Sequence, residues 1–341
     1  MVRLVKSIVA ISLIALVAIG SYLAWAWNHE LVLGSDRRVV KTGVSMHAFA
    51  RELHREGVLP DRYSLVLLAL LKGQGRALKA GEYQFEPGMT QRALLDQVVS
   101  GKVIEYPLAL IEGWTFQQVL QAIHQAPKIE NTLGESSPEQ IMDKLGYPGL
   151  HPEGQFYPDT YYYSVGTSDV SLLRRAFTRM QSRVHAEWAD RESGLPLNDP
   201  YDALKLASIV EKETGLTSER QLIAGVFINR LRRGTRLQSD PTVIYGLGVS
   251  FNGNLTRKDL LRDSPYSTYT RSGLPPTPIA MPGGDSLYAV LHPATTKALY
   301  FVARGDGSHQ FSETLSAHNK AVIKYQLVGR KRDFSSYSIS N

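Results

Sequence analysis

Two carboxylates set two residues apart are the groups in this chain best suited to chemistry: Glu211 and Glu213, within Leu204-Lys-Leu-Ala-Ser-Ile-Val-Glu-Lys-Glu-Thr214. At a hundred degrees per residue the stretch predicts one helix, with Leu204, Leu206, Ala207, Ile209 and Val210 on a broad apolar arc. Lys205, Ser208 and Lys212 fall on the opposite, solvated side, and the two glutamates lie on the two borders of the arc. A carboxyl seated against aliphatic side chains loses hydration, which disfavours its charged form and keeps a proton available for general acid catalysis. The same spacing also fits two surface charges pairing with nearby lysines, and the helical wheel does not choose between Glu211 and Glu213.

A second cluster of chemical groups lies in Leu237-Gln-Ser-Asp-Pro-Thr-Val-Ile-Tyr-Gly246. Gln238, Ser239, Thr242 and Tyr245 supply hydrogen-bonding side chains on one loop, and Asp240 is expected to cap a short helix with Pro241 at its first position. Upstream, Glu153-Gly-Gln-Phe-Tyr-Pro-Asp-Thr-Tyr-Tyr-Tyr163 is extended and aromatic, a composition that stacks on sugar rings or forms a buried seam.

The elements that position these groups follow from the rest of the chain. Its 341 residues, 43% of them hydrophobic, allow two or three domains with real cores. There is no cysteine, which excludes disulfides and thiolate metal sites, and the nine histidines form no zinc-binding spacing. No metal or organic cofactor is called for. A formal net charge of +6 leans towards an anionic partner without selecting one, and no nucleic-acid motif stands out.

Ser7 to Trp27 is free of charge and rich in Ile, Val, Leu and Ala, about twenty residues that match a hydrocarbon core of roughly 30 Å. Arg3 and Lys6 place the amino terminus in the cytoplasm, and Trp25 and Trp27 suit the outer interface. Ala24-Trp25-Ala26 formally offers a signal-peptidase site, but the apolar run is long for a signal and tryptophan flanks Ala26, so a retained transmembrane helix over 7–27 is expected.

A polar tether is expected over 28–40. Gly-x-Ser/Thr then recurs at Gly43-Val-Ser45, Gly88-Met-Thr90 and Gly113-Trp-Thr115, each hydroxyl a helix N-cap before an amphipathic run. Strands are expected at Glu82–Phe85, Val103–Ile111 and Leu299–Ala303, and Ser137-Pro-Glu-Gln140 carries the signature of a capping box. A long basic helix follows over 169–192, Ser218 is expected to cap the helix after Gly215, and Ser312 a last helix over 313–327. The fold class is α+β: a transmembrane helix, a small α+β subdomain over 41–101, a connecting region over 102–150, a larger mixed catalytic domain over 151–329 and a basic tail over 330–341.

The subdomain over 41–101 resembles a LysM-like carbohydrate-binding module. The carboxyl-terminal two-thirds resembles the MltG-type (YceG-like) endolytic murein transglycosylases. The resemblance rests on five ordered blocks: Ser208-Ile-Val-Glu-Lys-Glu213, Val226-Phe-Ile-Asn-Arg-Leu231, Leu237–Gly246, Gly273-Leu-Pro-Pro-Thr-Pro278, and Phe311-Ser-Glu-Thr-Leu315 with His318-Asn319. It implies an enzyme on the outer face of the cytoplasmic membrane that cuts nascent peptidoglycan strands internally, beside glycan-polymerising synthases. It implies Glu211 as the catalytic acid/base and leaves Glu213 a supporting or structural charge. One carboxyl suffices for that chemistry, whereas glycosidases that use water generally need two. Gln238, Ser239, Asp240 and Tyr245 are the expected substrate contacts, with Tyr157 and Asn319 as further ones. Two other readings keep the wall as partner: a water-using muramidase in which Asp240 or Glu213 positions the water, and a non-catalytic peptidoglycan-binding scaffold.

Overall fold

Three glycines at positive φ, Gly43, Gly88 and Gly113, turn the chain into three capped helices. The Ser45, Thr90 and Thr115 hydroxyls each accept the backbone N–H three residues on, as the repeated motif predicts. The computed structural model describes residues 2–33 and 37–327. The tail expected over 330–341, and residues 34–36 of the tether, lie outside the described residues.

The chain forms two compact units, the first mainly residues 1–107 and the second 108–126, 131–161 and the chain from 169 onward. In the first, α1 (Val2–Asn28) is a single apolar helix whose outward side chains are exposed from Leu4 to Ile19. β1 (Arg37–Val40) pairs antiparallel with β2 (Gly81–Gln84), and α2 (Met46–Arg55) and α3 (Ser64–Leu71) lie between them in sequence. α4 (Gln91–Ser100) follows. Phe49, Leu53, Leu65, Leu68, Tyr83, Phe85, Leu94 and Leu95 fill one core. The expected tether is therefore shorter than 28–40: Leu31 is buried in that core, and Arg37–Val40 is a strand because its partner β2 supplies the hydrogen bonds.

β3 (Tyr106–Ala109) pairs with β4 (Thr160–Tyr163), and α5 (Phe116–Gln125) and α6 (Pro138–Leu145) both begin with capping boxes. The core of the second unit is helical. α7 (Asp169–Ala189), α8 (Pro200–Glu213), α9 (Thr217–Arg232) and α12 (Gly284–Leu291) pack Leu204, Leu206, Ile209, Val210, Ile223, Phe227 and Leu287 together. Between α9 and α12 come α10 (Asp240–Leu247) and the short α11 (Arg257–Leu261). Gly225 on α9 has no space for a side chain, because a Cβ there would stand 2.6 Å from the Ala294 carbonyl oxygen. β5 (Tyr300–Ala303) and β6 (His309–Ser312) form an antiparallel hairpin, and α13 (Leu315–Tyr325) closes the described chain.

Three expected caps move. α9 starts at Thr217 behind Leu216, which caps it without a side chain, so Ser218 lies inside the helix. α10 starts after Ser239, so Asp240 is its first residue and not its cap. Ser312 ends β6, and Thr314 caps α13 by accepting from Ala317 N–H. A hydroxyl or carboxylate beside a periodic run marks a helix start to within a residue or two, and tertiary partners set the final position.

Candidate active site

α8 begins at Asp199, whose carboxylate accepts the Asp202 N–H, and Pro200 occupies the first turn. From this start its last turn delivers Glu211 and Glu213 into different surroundings. Glu213 stands in the wall of a cavity of about 260 Å³ that is also lined by Arg230, Gln238, Asp240, Tyr269, Tyr300 and His318. Ser239 Oγ donates to Glu213 Oε1 at 2.5 Å. Burial pushes the Glu213 carboxyl up to about 7, raised further by the Asp240 charge and opposed by the Ser239 hydrogen bond and Arg230.

Glu211 is not among the residues lining that cavity. Its Oε1 accepts from Arg220 Nη2 at 3.3 Å and its Oε2 from the Gly283 N–H at 2.9 Å. Gly283 is the N-cap of α12, so the carboxylate faces a guanidinium and a helix amino terminus together. Arg220 also donates from Nη1 to Asp285 at 3.2 Å and approaches Glu112 at 3.8 Å. Through these contacts Glu211 ties α8, α9 and the start of α12 together. Of the two glutamates, Glu213 lines the cavity, and Glu211, expected to be the acid, does not.

The loop before α10 is built to hold Glu213. Gln238 takes φ of 50°, an uncommon conformation for a side-chain-bearing residue, and its N–H donates to the Thr268 carbonyl at 3.0 Å. Ser239 N–H donates to Thr268 Oγ1 at 2.9 Å, and Thr242 Oγ1 donates to the Ser239 carbonyl at 2.7 Å. All three residues, Ser239, Thr242 and Thr268, are buried, so the hydroxyl network fixes the direction of the Ser239 side chain. Asp240 is exposed at the cavity, where its Oδ1 accepts from Tyr269 at 2.5 Å.

Of the other expected contacts, Gln238 lines the cavity. Tyr245, Tyr157 and Asn319 are not among its lining residues. Tyr245 donates to Glu153 Oε2 at 3.0 Å and packs edge-on to Tyr266. Tyr157 packs against the helical core beneath the Arg179 guanidinium, which lies 5.3 Å from its ring centre. Asn319 is half-buried on α13 next to His318, whose side chain does line the cavity. The aromatic stretch 153–163 is therefore a seam for most of its length, with Phe156, Tyr161 and Tyr163 buried.

Sequence patterning assigns no role to four groups the cavity contains. Arg230 is buried and donates to the Leu299 carbonyl at 2.6 Å and the Leu237 carbonyl at 2.5 Å, with its guanidinium 5.3 Å from the Tyr300 ring centre. His318 stacks on Tyr300 at 5.2 Å, and its Nδ1 is buried with no hydrogen-bonding partner among the described residues. Burial and the Arg230 charge push its pKa down, so the ring is neutral and offers one donor and one acceptor. Tyr269 and Tyr300 also line it. Arg230 and His318 lie inside blocks already notable in the sequence; only their burial marks them as more than a solvated charge and a core histidine. Glu153 is a second acid raised to about 7 by burial, although it accepts hydrogen bonds from Tyr245 and the Phe116 N–H. Among the described residues no group of three or more His, Cys, Asp or Glu side chains could hold a metal ion.

The model of the YceG-like family matches residues 39–324, which contain both glutamates, the Ser239 loop and all but one of the residues that line the cavity. The chain belongs to the YceG-like family. It is 31% identical over 303 residues to an endolytic murein transglycosylase of Bacillus subtilis (strain 168), covering 84% of this chain and 83% of that one. It is 27% identical over 354 aligned positions to the endolytic murein transglycosylase of Streptococcus pneumoniae serotype 2 (strain D39), covering 92% of this chain and 63% of that longer protein. The 2.6 Å crystal structure of a YceG-like protein from Listeria monocytogenes, 28% identical, superposes with a TM-score of 0.53 over 83% of this chain and 98% of that one. Within the YceG-like family this chain thus carries the mixed α/β architecture with an apolar helix at its amino-terminal end.

Proposed function

We propose that this protein is a membrane-anchored endolytic lytic transglycosylase. It cleaves the bond between N-acetylmuramic acid and N-acetylglucosamine in nascent peptidoglycan strands without water, leaves 1,6-anhydro ends and so ends strand elongation. The observation that carries the reading is Glu213: a carboxyl raised to about 7, at the wall of a cavity, with one oxygen held by Ser239. Relatives that bear the name endolytic murein transglycosylase support the substrate class.

With Oε1 accepting from Ser239, the proton of Glu213 resides on Oε2 and passes to the glycosidic oxygen as the bond to the muramyl anomeric carbon breaks. The exposed Asp240 carboxylate supplies negative charge opposite the developing oxocarbenium ion, and Arg230 stabilises the Glu213 carboxylate that remains. That carboxylate then takes the proton of the muramyl C6 hydroxyl, whose oxygen closes on the anomeric carbon. Acid and base are one residue, so the cycle ends with Glu213 protonated again. Neutral His318 and Gln238 present hydrogen-bonding groups to the sugar, and Tyr300 a ring face. No metal or organic cofactor enters these steps.

α1, long and apolar enough to span a bilayer, supports a single-pass anchor with its amino terminus in the cytoplasm and the cavity on the outer face. The β1-α2-α3-β2 order over two antiparallel strands supports reading the first unit as a LysM-like carbohydrate-binding module. Synthases that polymerise the strand are the partners this placement implies. A second reading has one observation in its favour: Asp240 brings a second carboxylate to the same cavity, the pairing that water-using muramidases need. Digestion of purified peptidoglycan with product masses separates the two, since anhydro-muramyl ends support the first and reducing muramyl ends the second.

A further inference from the structure

We propose that α3 lies on the outer surface of the lipid bilayer, with the stripe Tyr63, Leu67, Leu70 and Leu71 inserted among the headgroups beside α1. The stripe follows i, i+4, i+7 and i+8, so these four side chains share one helix face. The opposite face, Leu65, Val66, Leu68 and Ala69, is buried in the core of the first unit. The outward face remains open at 62%, 37%, 58% and 68% exposure. An eight-residue helix that is apolar all round needs cover on both sides.

What covers it follows from what α3 is fastened to. Asp61 caps the start of α3 through Oδ1, which accepts the Tyr63 and Ser64 N–H groups at 2.7 and 2.8 Å. Its other oxygen, Oδ2, accepts from the Tyr22 hydroxyl of α1 at 2.7 Å. Further along α1, the Trp27 indole donates to the Ser64 carbonyl at 2.9 Å, with Arg92 over its ring at 5.4 Å. Ala26 is fully buried in the same junction. The start of α3 is thus pinned to α1 at a point about 8 Å inside its last aromatic residue. A bilayer that covers the exposed apolar length of α1 up to its tryptophans reaches the level of Tyr22, and so reaches Asp61 and Tyr63. Arg62, whose guanidinium lies 4.7 Å from the Tyr63 ring centre, and exposed Arg76 flank the stripe and face anionic headgroups.

The inference rests on α1 spanning the bilayer, and its test separates the two. The chain has no cysteine, so single cysteines at Leu67, Leu70, Ile14 and Arg51 can each carry an environment-sensitive fluorophore. The full-length chain is reconstituted into vesicles of phosphatidylcholine and phosphatidylglycerol and titrated with spin-labelled lipid and with aqueous iodide. At positions 67 and 70 lipid-borne quenching is expected to be several-fold stronger than iodide quenching. Position 14 should be quenched by lipid alone and exposed position 51 by iodide alone. Iodide quenching at 67 and 70 equal to that at 51, with 14 still in lipid, overturns the inference and leaves the anchor standing. Iodide quenching at 14 removes the anchor and the inference together. Protection of 67 and 70 from both quenchers, with disulfide dimers forming through those cysteines, assigns the stripe to a second copy of the chain and also overturns the inference.

Discussion

The last turn of α8 holds two carboxylates in opposite surroundings. Glu211 meets a guanidinium and a helix amino terminus, and it joins three helices. Two residues on, Glu213 meets a hydroxyl, a buried arginine and a neighbouring aspartate at the wall of a cavity, and burial raises it to about 7. On the proposed function, the difference separates an ion pair that builds the site from the acid that works in it. Charge type is the same for both; the partners contributed from α9, α12 and the loop before α10 set the two surroundings apart.

The largest expected effect that would break this comparison is on turnover. Glu213→Gln keeps the shape and the Ser239 contact but removes the proton, and cleavage should fall by a factor on the order of 10² to 10⁴ with glycan binding retained. A Glu213→Gln variant that cleaves at the wild-type rate in a peptidoglycan digest ends the assignment. Next comes pH. Only protonated Glu213 donates, so turnover should drop about tenfold between about pH 6 and pH 8, through the raised value of about 7. A flat profile across that range contradicts the donor role.

Stability gives smaller changes. Glu211→Gln strips a charged partner from Arg220, and thermal or denaturant unfolding should report a loss of about 1–3 kcal/mol. The folded fraction of that variant should still cleave, which reverses the roles expected from family resemblance. Unchanged stability with abolished cleavage would restore Glu211 as the acid. Glu213 and Glu153 both lie above the ordinary carboxyl value of 4.5 when folded. The native state therefore holds more protons than the unfolded chain between about 4.5 and about 7, and their contribution to stability is lost as pH rises through that window. Melting temperature should fall from about pH 5 to pH 7, and Glu213→Gln should make the fall shallower. Smallest of all, Tyr245→Phe removes one donor to Glu153 and should cost about 1 kcal/mol with little change in cleavage.

Local signals in the sequence carried much of the scaffold and only part of the site. Gly-x-Ser/Thr at 43–45, 88–90 and 113–115 specifies turn, cap and helix within a few residues, so no distant partner can alter it. α3 left no periodic trace because Ser64-Leu-Val-Leu-Leu-Ala-Leu-Leu71 is apolar on every side, and the core covers only one face of it. Asp240 carried the composition of a cap, but Ser239 precedes the helix and its hydroxyl turns to Glu213. The choice between Glu211 and Glu213 was beyond any wheel. It depends on Arg220, Gly283 and Ser239, which lie 9, 72 and 26 residues from their respective partners and meet them only when the second unit folds.

One measurement bears most directly on the central assignment. Purified peptidoglycan is digested with the wild type, Glu211→Gln and Glu213→Gln, and the released fragments are weighed by mass spectrometry. Anhydro-muramyl ends from the wild type and from Glu211→Gln, with none from Glu213→Gln, are the predicted result. Anhydro-muramyl ends from Glu213→Gln, or reducing muramyl ends from the wild type, would contradict it.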